Sequence, residues 1–183
     1  MICGCDDGFL YAFHAETGTI IWKFRTKGAI KYGVAIDEGG GRVVFGSMDG
    51  GIYVLRIQTK TLEQVFQARF GIYSTPVIIC NRVLMGSLDK KVYCFHLFLR
   101  KKEWAFETSG RIFANPAVDK ESLFIGSNDG RLYELDIATG AVLSRLQFTE
   151  RRVNKTQIAH DSNGERLSYV PAHTCKLYRM REP

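Results

Sequence analysis

The sequence predicts an all-β chain, a β-propeller built from four-stranded antiparallel blades, and three observations carry that prediction. A ten-residue string recurs: "GCDDGFLYAF" from Gly4, "GSMDGGIYVL" from Gly46, "GSLDKKVYCF" from Gly86 and "GSNDGRLYEL" from Gly126, with a worn fifth copy, "PAHTCKLYRM", from Pro171. Successive copies start 42, 40, 40 and 45 residues apart, and each holds a tyrosine at its eighth position: Tyr11, Tyr53, Tyr93, Tyr133 and Tyr178. The runs around each turn, such as "RVVFGS" and "GIYVL", are apolar at consecutive positions rather than alternating, so both faces of the small sheet must be covered. Short sheets repeated at this period and covered on both faces by their neighbours are propeller blades.

Each repeat reads as strand, strand, tight turn, strand, turn, strand. The Asp-Gly pairs at 7–8, 49–50 and 129–130 suit two-residue hairpin turns with positive φ at the central positions. Asp89-Lys90 departs from that chemistry and predicts a strained or differently shaped turn. A first strand is expected in "AIKYGVAI" from Ala29, "GIYSTPVII" from Gly71, "RIFANPAV" from Arg111 and, more weakly, "RVNKTQIA" from Arg152. Pro76 and Pro116 then fall inside first strands, which an innermost edge facing a channel tolerates. Fourth strands are expected in "TIIWKFRT" and "KKEWAFET". In "TLEQVFQARF" the residues Leu62, Val65, Phe66 and Phe70 follow helical spacing, but alignment puts Phe66 over Phe24 and Phe106, and register across copies argues for a strand.

The repeats fall at approximately 1–28, 29–70, 71–110, 111–151 and 152–183, a single propeller over 1–183 forming a partial or small ring. The first repeat opens on a second strand and the last ends on a third, giving eighteen strands, about four and a half repeats; the extra residues before the fifth copy fit an enlarged turn at Asn163-Gly164.

Composition excludes several classes. At 45% hydrophobic and 12% aromatic the chain has enough apolar surface to fold. It has no run long enough to span a membrane and no basic-then-apolar leader, so a cytoplasmic location is expected. The five cysteines agree: Cys80, Cys94 and Cys175 are scattered, and Cys3-x-Cys5 lacks the second ligand pair that metal or redox chemistry requires, so structural thiols are expected. The net charge of +6 sits in short groups, namely Arg100-Lys101-Lys102, Arg151-Arg152 with Lys155, and Lys176, Arg179 and Arg181. Short groups without interleaved aromatics are solvated loops, and neither nucleic-acid nor membrane binding is expected.

The turn after the hairpin narrows the family. "AETGTIIW" runs from Ala15 through Thr17-Gly18 to Trp22, followed by Phe24 and Thr26; the third copy keeps Trp104, Phe106 and Thr108, and the fourth keeps Asp136 and Thr139-Gly140. This resembles the pyrroloquinoline-quinone-type propeller repeat, A-x-D-x-x-T-G-x-x-x-W. The resemblance implies that Trp22 and Trp104 pack against the glycine turn of a neighbouring blade. Quinone-dependent dehydrogenases of the family have calcium-binding carboxylates, a catalytic aspartate and often a disulfide between adjacent cysteines. Here no cysteines are adjacent, and the expected channel strands offer Lys31, Thr75, Asn115 and Gln157. Among non-enzymatic relatives, the bacterial outer-membrane assembly lipoprotein is a scaffold that would need a lipoprotein signal. The strings "WAFETSGRIFANPAV" and "GSMDGGIYVL" are similar in style to the C-terminal propeller of β-alanine-activating, acyl-adenylating enzymes.

No residue is assigned to catalysis, cofactor binding or metal ligation. His14 and His96 share a repeat position on separate blades, which suits solvent-facing or capping roles, and His160 and His173 lie in the worn copy without an identified partner. Asp7, Asp49, Asp89 and Asp129 recur as turn residues that bond local backbone rather than as calcium ligands. The expected function is a non-catalytic interaction or scaffolding propeller with no cofactor, the C-terminal accessory part of a larger acyl-activating enzyme, contacting a protein partner or upstream domains of the same polypeptide. The alternative is a quinone-dependent dehydrogenase or its remnant.

Overall fold

The computed structural model describes residues 1–37, 39, 41–148, 157–160, 166–171 and 177–181. Among these, eighteen strands form five antiparallel sheets in chain order and no helix occurs. The first sheet holds β1 (Ile2–Gly4), β2 (Phe9–Phe13) and β3 (Ile20–Arg25). The second holds β4 (Ala35–Asp37), β5 (Arg42–Gly46), β6 (Gly51–Arg56) and β7 (Thr61–Gln67), and the third β8 (Val77–Ile79), β9 (Arg82–Gly86), β10 (Lys91–His96) and β11 (Lys101–Glu107). The fourth comprises β12 (Ala117–Asp119), β13 (Ser122–Gly126), β14 (Arg131–Asp136) and β15 (Val142–Gln147), and the fifth β16 (Gln157–His160), β17 (Arg166–Pro171) and β18 (Leu177–Arg181). β7 is a strand throughout, so register across copies outweighs the local helical spacing.

Consecutive apolar residues in the second strands are explained by which neighbour each one faces. In β5, Val43 and Phe45 pack into the core shared with the first sheet, whereas Val44 points the other way, against the third. In β9, Val83 and Met85 face the second sheet and Leu84 faces the fourth; in β13, Phe124 faces the fifth sheet beside Ile158. Strand alternation thus places successive side chains in two different cores, and each sheet is stable only between its neighbours. β4 approaches β8 and β12 approaches β16, so the three- and four-residue first strands mark the inner edge, while β15 is exposed along its whole length at the outer edge.

The third and fourth strands of each described repeat shift register at the same place: at Ala12/Phe13, Val54/Leu55, Cys94/Phe95 and Glu134/Leu135. Such bulges increase local twist, which lets flat-sided sheets stack around an axis.

Two expectations are corrected. The hairpins are not two-residue turns. Cys5 N–H donates to Phe9 O, Gly8 N–H returns to Cys5 O at 3.2 Å, and only Gly8 has positive φ (83°), a three-residue loop that ends in a left-handed residue. The same bonds recur at Ser47, Ser87 and Ser127. Lys90 takes φ 73° and donates to Ser87 O at 3.2 Å, so that turn keeps the common shape and carries the strain in its backbone. Pro76 and Pro116 lie immediately before β8 and β12 rather than inside them, so neither removes a ladder donor.

Candidate interaction surface

The hairpins and the linkers between sheets share one end of the stack, because the fourth strand of each sheet runs back to the level of the next hairpin. The recurrent aspartates knit this end together. In each loop one carboxylate oxygen accepts an amide two residues on, Phe9, Gly51, Lys91 or Arg131, and the other accepts the registered tyrosine hydroxyl at 2.7–2.8 Å. The second oxygen also accepts the linker amide of the preceding sheet: Lys27 on Asp49 (2.9 Å), Arg69 on Asp89 (3.0 Å) and Ser109 on Asp129 (2.9 Å). These bonds explain the fixed spacing of aspartate and tyrosine, and the linker contact is a role that the sequence did not disclose.

Desolvation alone would raise the Asp49 carboxyl, but bonds from Tyr53, the Gly51 and Lys27 amides and Ser47 outweigh it and hold the group below its ordinary value. Burial and the same bond push the Tyr53 hydroxyl far up. Thr26 and Thr108 complete the linkers, each hydroxyl donating to a carbonyl of its own sheet's hairpin (Gly8, Lys90) and to one two residues on (Gly28, Gly110).

At the inner edge, Gly33 N–H donates to Thr75 Oγ1 (3.1 Å) and Thr75 N–H to Asn115 Oδ1 (2.7 Å), a chain of bonds running from sheet to sheet. Beside it Tyr32, Tyr73 and Phe113 stand edge-to-face, with ring centroids 4.8 and 5.2 Å apart. Lys31 is turned to Asp6 at 2.5 Å, and that bond raises its ammonium pKa. Gln157 lies on β16, but its side chain is outside the described residues, as are Asn163-Gly164, His173, Cys175, Lys176 and the Arg151-Arg152 group. The donors brought together here are amide, hydroxyl and aromatic groups, and no three His, Cys, Asp or Glu side chains converge among the described residues. This set does not fit calcium with a quinone.

Between the second and third hairpins lies a cleft of about 690 Å³ lined by Met48, Arg69, Phe70, Leu88, Lys90 and Arg111 among others. At the opposite end of the stack, the arginine–carboxylate pairs among the described residues stay within single sheets. Arg42 reaches Glu63 at 2.6 Å and Asp37 at 3.4 Å, Arg56 shares Glu63, and Arg82 meets Glu103 at 2.6 Å. His96 Nδ1 accepts the Leu99 amide at 3.3 Å, a capping role, and His14 is exposed on another sheet. His160 Nε2 lies 3.4 Å from Asp119 of the fourth sheet, a contact that no sequence signal indicated. Cys94 is buried, and burial with the Glu103 carboxylate beside it pushes its thiol up to about 12, which makes it unreactive.

The indole of Trp104 donates to Ile137 O at 2.9 Å and lies on Gly140 of the next sheet, where an added Cβ would stand 2.6 Å from the ring. This is the contact implied by the family resemblance. At Trp22 the corresponding turn holds Lys60 (φ 59°) instead of glycine.

Residues 71–145 match a family model described as outer membrane protein assembly factor BamB. Among solved structures, BamB from Moraxella catarrhalis is similar with a TM-score of 0.78 at 20% identity, over 98% of this chain and 57% of that chain. Sqt1 from Saccharomyces cerevisiae has a TM-score of 0.89 at 13% identity, over 100% and 54%, and the computationally designed protein Ika8 has 0.84 at 21%, over 99% and 55%. The chain thus spans little more than half the length of each of these three proteins. No curated protein sequence matches it. Likeness at these identities shows the fold, a β-propeller arrangement of sheets.

Proposed function

We propose that the chain is a non-catalytic protein-interaction module, a rigid scaffold that presents loops at its hairpin end to a protein partner. The observation that carries this reading is the set of aspartates that bind their own turn, their own sheet and the preceding linker at once. Such triple engagement fixes loops without secondary structure of their own, and preorganised loops bind without a large ordering cost. The family description matched by residues 71–145, an assembly factor, accords with this role. The reading extends to a single partial or small ring over 1–183, cytoplasmic, as the C-terminal accessory part of a larger acyl-activating enzyme. The strings quoted above and the odd cysteine count support that extension.

The test is site-specific photocrosslinking in the source cells, with the photoreactive residue at Lys27 or Asn128 on the hairpin end and at Leu143 on the outer strand. Discrete protein adducts from the first two positions, absent from the third, are expected. Adducts from Leu143 alone, or from none of the three, contradict the reading. Calcium-dependent binding of the quinone with a change in its absorbance would replace it with the dehydrogenase.

A further inference from the structure

The repeat supplies a template, and at the hairpin end the departures from it converge on one place. At the hairpin tips the equivalent residues are Asp6, Met48, Leu88 and Asn128; the two apolar ones both line the cleft between the second and third hairpins. The left-handed loop position is Gly8, Gly50, Lys90 and Gly130, and the single cation in the series lines the same cleft at φ 73°. The linker positions are Gly28, Phe70 and Gly110, followed by Ala29, Gly71 and Arg111; again the large residues, Phe70 and Arg111, are in the cleft. Glycine suits that linker position, since a Cβ on Gly28 would come within 2.5 Å of the Asp49 amide, yet Phe70 stands there 55% exposed. Neither change helps the fold much: a left-handed lysine costs about 1–2 kcal/mol, and a phenylalanine left more than half exposed gains little from burial. Among the hairpin and linker positions, the one left-handed non-glycine residue and the exposed phenylalanine fall at the same cleft, and together they point to binding.

The chemistry of the occupant follows from the charges. Four basic side chains (Arg69, Lys90, Lys91 and Arg111) meet two acidic ones, Asp89 and Glu107. Asp89 is taken up by the Arg69 and Lys91 amides and the Tyr93 hydroxyl, and Glu107 pairs with Lys91 at 3.5 Å. Arg69 lies 5.6 Å from the Phe70 ring, and Arg69, Lys90 and Arg111 have no acidic partner among the described residues. Resting on the interaction reading above, we infer that this cleft binds a short acidic peptide segment with one apolar anchor residue. The anchor packs on Met48, Phe70 and Leu88, and flanking carboxylates meet Arg69, Lys90 and Arg111.

The experiment is fluorescence anisotropy of the full chain with a short labelled peptide of Asp and Glu around a central Phe. Binding is expected to weaken about fivefold on Lys90→Gly, which restores the template residue and relieves the turn, and by a similar factor on Arg111→Ala. Replacing the peptide's Phe by Gly is expected to weaken it at least tenfold, and Lys101→Ala at the opposite end should leave it unchanged. The inference is overturned if the probe does not bind, if the Phe-free peptide binds as tightly, if Lys101→Ala weakens binding as much as Lys90→Gly, or if duplex DNA displaces the probe more tightly than the unlabelled peptide. Failure here with persistent adducts from Lys27 and Asn128 removes the cleft alone; loss of both removes the interaction reading beneath it.

Discussion

Two seams of the molecule hold the same tryptophan and differ in what it meets. Between the third and fourth sheets, Trp104 lies on Gly140 and donates to Ile137 O. Between the first and second, Trp22 packs against the cluster formed by Leu10, Ile30, Val43, Phe45 and Leu55, but Lys60 occupies the glycine's place and the indole finds no such acceptor among the described residues. The left-handed backbone survives regardless of side chain: φ is 68°, 59°, 50° and 72° at Gly18, Lys60, Arg100 and Gly140. Turn geometry therefore sets the conformation. Glycine is required only where a large ring from the preceding sheet must lie flat on the backbone. The motif works as a pair split across two copies, tryptophan from one and glycine from the next.

That difference can be broken from either side. Trp104→Ala should cost about 3 kcal/mol in urea unfolding and Trp22→Ala roughly 1 kcal/mol less, since only the first also strands a carbonyl; equal losses would mean that the glycine contact adds nothing. Gly140→Ala should cost about 2 kcal/mol, from left-handed strain plus collision with the ring, and the cost should fall to about 1 kcal/mol once Trp104 is already alanine. A double-mutant cycle with no coupling would contradict the seam described.

Acid should loosen the second sheet before the fold as a whole. The Asp49 and Glu63 carboxyls both lie below their ordinary values of 3.8 and 4.5, because hydrogen bonds from Tyr53 and backbone amides, and from Arg42 and Arg56, outweigh desolvation. With depressed folded values, their contribution is present above the ordinary range and is lost as pH falls below it through the folded values. Thermal midpoints should be level above about pH 5 and decline below about pH 4, and Asp49→Asn should flatten the decline. The smallest effect is expected from Lys60→Gly, a gain of about 0.5 kcal/mol as relief of strain slightly exceeds added chain entropy, read in the same urea assay.

Much of this architecture was legible in the sequence because it repeats. Five registered tyrosines and doubled apolar runs announced sheets covered on both sides, and alignment across copies placed Phe66 in a strand despite its local spacing. The hairpin loops are one residue longer than their Asp-Gly pairs imply, because Asp-Gly signals a left-handed residue without saying which bonds close the loop. Pro76 and Pro116 stand outside the ladder because the apolar run begins before the strand does. The aspartate–linker bonds join residues about 20 apart in different sheets, and no local pattern marks such a pair. The cleft was invisible for a similar reason: each departure from the template looks like ordinary drift until the fold brings Met48, Phe70, Leu88, Lys90 and Arg111 together.

Amide hydrogen exchange at Lys27, Arg69 and Ser109 reports whether the hairpin end is rigid. These residues are exposed and lie outside every strand, yet each amide donates to an aspartate of the next sheet. All three are expected to exchange as slowly as amides inside β6 and β10. Exchange at the rate of an unstructured loop would show that the hairpin end moves freely, and the display mechanism would be wrong.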